Sequence, residues 1–501
     1  MDAVNSFEKR LPDKVLYYLE NHWQKIFLAL LLVSGLALRV LLAEKIPLWN
    51  DEAVTANVAR SLSENGVPAL PSGKEYWRGL PYILLVSISE RVFGHSDVAT
   101  RLPSILIGTG TIALTYIGGK ELFGQNTGLI AASIVAFLPW QLAWGIQVRM
   151  YVLLQFLYLA SVILIYRIGE KAWVLDALLL ALTISIGMVT HRTAYILPGI
   201  AAAYLFAIQL QSLNLRKLLF VAVPVAAGFA AQLAYENYVD LLNLLSYHPD
   251  NFSYYLDWLE TRNRFFLGSG ILGGLLAARK SFRAVYLLAL STIPAFLVYG
   301  FLVDYRNNRY IHFMIPMVSL LAALLFSEVT KLGGYLPRIS SEKFFAGALI
   351  VLLAFSVPGF DYSYDNSVYR PYFDHESVYD YISRHDSEED ILITQWTSSA
   401  TYYYRTPDYS LQGDGYIDVR EEYSYRGKNV YSGAEFVFEA SRLENIVMNS
   451  SGWLVMRETG FLRKPNATQS VIKGGMREVG DFKRMRVWRW DHRGRGGAVG
   501  E

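Results

Sequence analysis

The chain has 501 residues, of which 53% are hydrophobic and only 18% are charged, against about 25% charged in an ordinary soluble domain. Its formal net charge of +2 gives no reason to expect a nucleic-acid partner. The chain contains no cysteine, which excludes disulfide bonds and thiolate chemistry. The composition therefore indicates a protein of the lipid bilayer.

The first 359 residues are organised in apolar blocks of membrane-spanning length. A helix needs roughly 17–25 apolar residues to cross a bilayer, and blocks close to that length recur after a polar N-terminal segment. The shorter apolar segment 80–93 is interrupted by polar residues, so we expect it to lie at the membrane interface. The sequence thus predicts eleven spans: 26–44, 102–118, 127–145, 151–166, 173–189, 195–210, 218–235, 265–278, 284–303, 310–326 and 344–359.

Basic residues assign a side of the membrane to each loop. Short loops rich in Lys and Arg stay in the cytoplasm, and the N-terminal segment carries Lys9, Arg10, Lys14 and Lys25. With that end inside, each later inside loop is basic as well, as at Lys120, Arg167 and Arg283. We therefore expect a multi-pass protein of the cell membrane with a cytoplasmic N-terminus.

The last part of the chain has a different pattern. From residue 360 the apolar blocks stop, and a helix-like segment at 377–383 is followed by strand-like segments at 390–394, 452–456 and 484–490. About 140 residues are enough for a separate core. The sequence predicts a transmembrane domain at 1–359 and an extracytoplasmic soluble α/β domain at 360–501.

The first outside loop places two acidic residues directly after a predicted span. Asn50, Asp51 and Glu52 open an amphipathic segment that runs to Ser63. Asn50 or Asp51 can cap the helix that begins here, or Asp51 can act as a general base at the membrane surface. The two interpretations are compatible, because the start of a helix is a rigid mount for a catalytic group.

An ordered series of motifs resembles the family 39 type of glycosyltransferases. That class includes protein O-mannosyltransferases and bacterial aminoarabinose transferases, and the resemblance implies their GT-C fold. It covers residues 35–160 well, and more weakly the His191-Arg192 and Arg309-Tyr310 regions. The motifs are Arg39, Leu48-Trp49-Asn50-Asp51-Glu52-Ala53, Ala59-Arg60, Gly66, Tyr76-Trp77-Arg78-Gly79, Phe93-Gly94, Arg101-Leu102-Pro103-Ser104, Glu121-Leu122-Phe123-Gly124, Pro139 and Arg149-Met150-Tyr151.

The resemblance also implies the donor and the catalytic residues. Asp51 corresponds to the proposed base that deprotonates the acceptor, and Glu52 to a second acidic position that could orient the acceptor or Asp51. The donor would be a polyprenyl- or dolichyl-phosphate sugar. The acceptor would be a glycan, a protein hydroxyl or a glycolipid.

Basic residues would bind the phosphate of that donor. Arg78 and Arg149 are the first candidates and Arg309 a third, and Tyr151 and His191 complete the predicted substrate-binding set. Departure of the sugar leaves a phosphate with growing negative charge, which a fixed guanidinium stabilises. The alternative for each arginine is an anchor at the membrane interface, and for His191 a hydrogen-bonded helix terminus.

The sequence does not identify ligands for a metal ion. No set of His, Cys and carboxylate residues has metal-ligand spacing. Some relatives of the GT-C class use a divalent cation, so Mg²⁺ or Mn²⁺ stays open, although Asp51 and Glu52 alone would hold it weakly.

Two other functions compete with sugar transfer. A transporter or flippase of lipid-linked saccharides would be expected to show internal repeats, and none is evident in the sequence. A non-catalytic assembly subunit would not need acidic and basic residues gathered at one membrane face. The discriminating observation is whether Asp51, Arg78 and Arg149 converge.

Overall fold

The computed structural model describes residues 2–171, 173–209, 250–303, 306–332, 373–412 and 423–492. Its helices are α1 (Asp2–Lys45), α2 (Asn50–Asn65), α3 (Leu80–Phe93), α4 (Asp97–Phe123), α5 (Gln125–Phe137), α6 (Pro139–Gly145), α7 (Tyr151–Lys171), α8 (Val174–Thr190), α9 (Ile196–Gln209), α10 (Asp250–Ala277), α11 (Phe282–Phe301), α12 (Ile315–Leu332), α13 (His375–His385), α14 (Thr397–Tyr403), α15 (Ala440–Asn449), α16 (Glu458–Leu462) and α17 (Asn466–Gly475). Its strands are β1 (Ile391–Thr394), β2 (Tyr409–Leu411), β3 (Ser424–Tyr425), β4 (Lys428–Asn429), β5 (Glu435–Val437), β6 (Gly452–Arg457), β7 (Arg477–Phe482) and β8 (Met485–Trp490). Short 3-10 helices cover Arg192–Tyr195 and Asn308–Met314.

The apolar helices are those of a multi-pass membrane protein. Within the described residues, five helices are long and apolar enough to cross a bilayer, or six when α5 and α6 count as one bent span. Shorter apolar helices occupy 174–190, 192–208 and 266–277, where further spans are predicted. The predicted spans 218–235 and 344–359 lie outside the described residues, and the total of eleven stays a prediction.

The predicted span 127–145 is broken. Helix α5 ends at Phe137 and α6 starts at Pro139, with an angle of 63° between them. A residue before proline is driven out of the helical region by the proline ring, and Leu138 has the non-helical angles φ −59° and ψ 123°. The hydropathy pattern is continuous across this point, so it predicts one helix where the proline makes two.

The chain divides into two compact units. The first contains residues 1–40, 105–145 and 151–360, and the second contains 41–104, 146–150 and 361–501. Residues 41–104 and the short segment before α7 therefore fold with the C-terminal residues. Chain order alone does not indicate this grouping.

The second unit contains a mixed sheet in the order β5-β2-β1-β6-β8-β7. The first four strands in that order are parallel, while β8 is antiparallel to both β6 and β7. Three strands and helix α13 coincide with the segments predicted from sequence. The expectation of a C-terminal α/β region is confirmed.

The sheet is covered on both faces. Successive side chains of a strand point to opposite faces. In β6, Trp453 and Val455 join one apolar cluster with helix α13, while Leu454 and Met456 join another with helices α15 and α17. This explains why β6 is a continuous apolar run rather than an alternating one.

Arg39 lies buried in the first unit, beside the break in the membrane span. Its side chain is fully buried, and it donates to the Gly35 carbonyl at 2.9 Å and to the Val135 carbonyl at 3.5 Å. The carbonyls in the last turn of a helix lack partners within that helix, and Val135 stands two residues before the end of α5. Arg39 therefore caps the broken helix.

Helices α10 and α12 of the first unit approach closely at a glycine. A Cβ atom added at Gly273 would lie 2.0 Å from the Leu321 carbonyl oxygen, whereas one at Gly274 would meet only the Leu321 side chain at 3.6 Å. Small residues allow such close backbone contact between membrane helices.

Candidate functional site

Helix α2 carries the acidic pair Asp51 and Glu52 in its first turn. The N-cap position is Trp49, not Asn50 or Asp51. Glu52 caps the helix, because its Oε2 accepts the Trp49 backbone N–H at 3.2 Å. Asp51 thus lies in the first helical turn, where the helix dipole favours a carboxylate.

Glu52 is fully buried and holds three segments together. Arg101 donates to it from Nε at 3.3 Å and from Nη2 at 3.1 Å, and the Val148 N–H donates to its Oε1 at 2.9 Å. Charged, forked contacts of this kind are the strongest hydrogen bonds between side chains. Glu52 therefore fixes the start of α2 against the segment that carries residue 149.

Arg149 lies beside Asp51 as a result. Its Nη1 donates to the Asp51 backbone carbonyl at 3.0 Å and to the Thr55 hydroxyl at 3.1 Å. Arg149 is 5% exposed, so its charge acts through a partly dry environment, where electrostatic interactions are stronger than in water. The buried Arg149 guanidinium thus contacts the helical turn that carries Asp51.

Arg78 belongs to a loop that packs on the same segment. Its neighbour Gly79 has a φ of 75°, and a Cβ atom there would lie 3.1 Å from the Met150 Sδ atom. Glycine is suited to both the left-handed backbone and the close approach. The Arg78 side chain itself is exposed. The loop is therefore held against the segment 146–150, next to Arg149.

Asn50 and Asp51 also border a cavity of about 260 Å³. Its other walls come from residues between Gln395 and Arg457, all within the second unit. The cavity brings the first turn of α2 together with the sheet described above.

The remaining predicted residues form a separate cluster in the first unit. The Tyr151 and His191 rings are 5.3 Å apart, and the Arg309 guanidinium lies 5.7 Å from the Tyr151 ring centre and 5.3 Å from that of Tyr310. His191 Nδ1 is 2.8 Å from the Thr193 hydroxyl. The arginine thus lies over aromatic rings, as in a cation–π interaction. Tyr151, His191 and Arg309, three of the residues predicted to bind substrate, are therefore close together in the structure.

Arg101 is a structurally important residue of this region to which the sequence motifs assign no role. It is fully buried, and besides Glu52 it donates to the backbone carbonyls of Ala43 at 2.9 Å and Pro47 at 3.2 Å, and to that of Ile46. The signal available in the sequence was an arginine at the start of a predicted span on the outer side, against the positive-inside trend.

The donor set does not fit a metal ion well. The oxygens of Glu52 are already occupied by Arg101, Val148 and Trp49. Across the described parts of the chain, no group of three or more His, Cys, Asp or Glu side chains could hold a metal ion. We therefore derive no step through a cation.

Residues 80–235 match the family model described as dolichyl-phosphate-mannose-protein mannosyltransferase. This match confirms the resemblance found in the sequence motifs. No curated protein sequence matches the chain.

Solved structures share the fold. ArnT from Cupriavidus metallidurans in the apo state matches with a TM-score of 0.64 and 13% identity, covering 95% of this chain and 99% of that one. The same protein bound to undecaprenyl phosphate gives a TM-score of 0.61 and 13% identity, with 93% and 98% covered. AglB from Archaeoglobus fulgidus, an archaeal oligosaccharyltransferase in complex with an inhibitory peptide and a dolichol-phosphate, gives 0.58 and 12%, with 88% and 70% covered. The expected GT-C-like fold is confirmed.

Proposed function

We propose that this chain is a membrane glycosyltransferase that moves a sugar from a polyprenyl- or dolichyl-phosphate donor to an acceptor hydroxyl. The contact between Arg149 and the first turn of α2 carries the proposal. The Arg149 guanidinium belongs to the segment 146–150 and Asp51 to the start of α2. Glu52 holds these two segments together through its hydrogen bond from Val148. The family match over residues 80–235 and the lipid phosphates in the similar structures support it.

The proposed reaction assigns each residue one task. The Asp51 carboxylate takes the proton of the acceptor hydroxyl while the acceptor oxygen forms a bond to the anomeric carbon. The bond from that carbon to the phosphate oxygen breaks, and its electron pair leaves with the polyprenyl phosphate. Arg149, with Arg78 on the neighbouring loop, stabilises the negative charge that develops on this phosphate.

Glu52 acts as a positioning residue in this scheme. It is fully buried, and its hydrogen bonds set the distance between Asp51 and Arg149. The substrate-binding role of Tyr151, His191 and Arg309, which cluster within the first unit, stays a prediction of the sequence.

The orientation completes the proposal. With eleven spans and a cytoplasmic N-terminus, the loop of Asp51 and the C-terminal sheet face the outside of the cell membrane. Sugar donors on that side are attached to lipids, in agreement with a polyprenyl carrier.

The test is transfer by the Asp51→Asn variant. Asparagine keeps the size of the side chain but cannot accept the proton, so transfer should fall by roughly 10²–10⁴-fold. Donor binding should persist, because the hydrogen bond from Arg149 to the backbone carbonyl of residue 51 does not depend on the side chain at that position.

The assay uses membranes with a panel of radiolabelled polyprenyl-phosphate sugars. Glu64→Gln is the matched control, since Glu64 is an exposed acidic residue on the same helix. An Asp51→Asn variant that transfers sugar at the wild-type rate would remove Asp51 from the mechanism.

A further inference from the structure

The cavity beside Asp51 lies at the carboxyl ends of the parallel strands. Gln395, Trp396 and Thr397 follow β1, Gln412 follows β2, Phe438 follows β5, and Arg457 ends β6; all six line the cavity. Open α/β sheets bind their ligands outside the carboxyl ends of parallel strands, at the point where the strand order reverses. Here the order reverses at β1, because β2 pairs on one side of it and β6 on the other. The cavity is therefore where this topology places a ligand.

The walls of the cavity combine flat rings and carboxamides. Five aromatic side chains line it, namely Trp396, Tyr423, Tyr431, Phe436 and Phe438. Four amide side chains join them, namely Asn50, Gln395, Gln412 and Asn429. Aromatic faces contact the C–H faces of a sugar ring, and carboxamides both donate to and accept from hydroxyl groups. Asp51 and Arg457 are the charged residues among those lining it, which favours a neutral, hydroxyl-rich ligand over a lipid tail or a polyanion.

A sugar ring offers a C–H face to the aromatic rings and several hydroxyl groups to the carboxamides at once, whereas the side chain of a serine or threonine offers a single hydroxyl. The cavity thus suits the saccharide better.

The aromatic wall, formed by these five rings, is anchored at Tyr431 by hydrogen bonds within the protein. Asn429 Oδ1 accepts the Tyr431 backbone N–H at 3.0 Å and the Thr397 hydroxyl at 3.2 Å, and Asn429 Nδ2 donates to the Ser410 hydroxyl at 3.2 Å. Burial and the nearby Tyr423 raise the pKa of Tyr431, with a contribution from Asp51. The Tyr431 hydroxyl therefore stays protonated close to the proposed base.

We infer that this cavity is the acceptor subsite, and that the acceptor is a saccharide whose reacting hydroxyl is presented to Asp51. The inference rests on the proposed function, and it selects a glycan over a protein hydroxyl. In the transfer step the acceptor loses its proton to Asp51, and its oxygen replaces the phosphate oxygen at the donor's anomeric carbon.

The experiment uses the full chain in lipid nanodiscs. Binding of methyl glycosides of glucose, galactose, mannose and their N-acetylamino and uronic derivatives is followed by saturation-transfer NMR. Release of radiolabel from polyprenyl-phosphate mannose and related donors is followed separately. Tyr431→Ala and Phe438→Ala are the test variants. Tyr425→Ala is the matched control, because Tyr425 belongs to the neighbouring strand β3 and does not line the cavity.

At least one glycoside should bind the wild type and the Tyr425→Ala variant. Its dissociation constant, and the acceptor KM, should rise roughly tenfold in the two test variants, as expected for loss of one ring contact, while the donor KM stays unchanged. Glycoside binding that is equal in all variants overturns the saccharide subsite, and so does binding of a Ser/Thr peptide without binding of any glycoside. Failure of the wild type to consume any donor would instead overturn the proposed function, and the glycoside titration would still report on the cavity.

Discussion

At the scale of single residues, Arg149 does two things with one side chain. Its Nη1 atom is committed to the Asp51 carbonyl and the Thr55 hydroxyl, which fixes the plane of the guanidinium. The positive charge is thereby held in one place beside the first turn of α2, where the proposed mechanism uses it on the donor phosphate. This separates Arg149 from an interface anchor, whose charged end lies in water.

Replacing Arg149 should weaken use of the donor more than it disturbs the fold. Arg149→Ala should raise the donor KM or lower kcat/KM by a factor that corresponds to roughly 1.5–3 kcal/mol per lost charged hydrogen bond. Arg149→Lys should restore only part of the activity, because an ammonium group lacks the fork. Steady-state kinetics with varied donor measures both effects.

Arg91→Ala is the control for that experiment, since Arg91 is an exposed arginine at the end of α3. Normal donor kinetics in the Arg149→Ala variant would place the phosphate-binding group elsewhere.

Glu52 should behave as a structural residue when it is changed. Glu52→Gln leaves the buried Arg101 guanidinium without its carboxylate, and breaking a buried pair in this way costs roughly 3–5 kcal/mol. Thermal unfolding in detergent should show a clear loss of stability, whereas Glu75→Gln, at an exposed glutamate, should not. A Glu52→Gln variant that melts like the wild type but transfers no sugar would make Glu52 a catalytic residue.

At the scale of elements, helices α10 and α12 pack backbone against backbone at Gly273, with no side chain between them. The Gly273→Ala variant should be destabilised by roughly 1–3 kcal/mol, the usual range for overpacking, because its new methyl group would meet the Leu321 backbone. Gly274→Ala, one residue along α10, should be nearly neutral. The two melting temperatures in the same detergent decide the matter, and equal values would show that α10 and α12 do not pack as described.

Elements also show what the sequence could and could not predict. Hydropathy located helices such as α11, predicted at 284–303 and found at Phe282–Phe301, because span length is a property of the local chain. The hydropathy pattern does not show the break at Pro139, because α5 and α6, the two halves of the predicted span, are both apolar. The pairing of Glu52 with Arg101 and Val148 also escaped it, because it joins segments that are distant in sequence.

At the scale of the whole molecule, the orientation can be tested without background from native thiols. The chain has no cysteine, so single cysteines can replace the exposed residues Asn65, Lys280 and Glu444. In intact cells an impermeant thiol reagent should label Asn65→Cys and Glu444→Cys, whereas Lys280→Cys should react only after the membrane is opened. Labelling of position 280 in intact cells, with none at 444, would reverse the proposed orientation.

The candidate site was predictable only in part, because it joins segments that are distant in sequence. Motif resemblance indicated Asp51 and Arg149, which the fold then brings together. The aromatic wall of the cavity comes from four separate parts of the C-terminal region. No local pattern links Trp396 to Phe438, because they line one cavity only through the strand order β5-β2-β1 of the sheet.

The cap that Arg39 provides has a consequence for biogenesis. The ribosome makes Arg39 before the Val135 carbonyl, which follows it by 96 residues. An arginine costs up to roughly 2.5–3.5 kcal/mol at the centre of an inserting helix, and less toward its end. Helix α1 therefore enters the bilayer carrying a charge whose partner on another helix has yet to be translated. A nascent chain halted before α5 holds its first helix less securely in the membrane than the finished protein does.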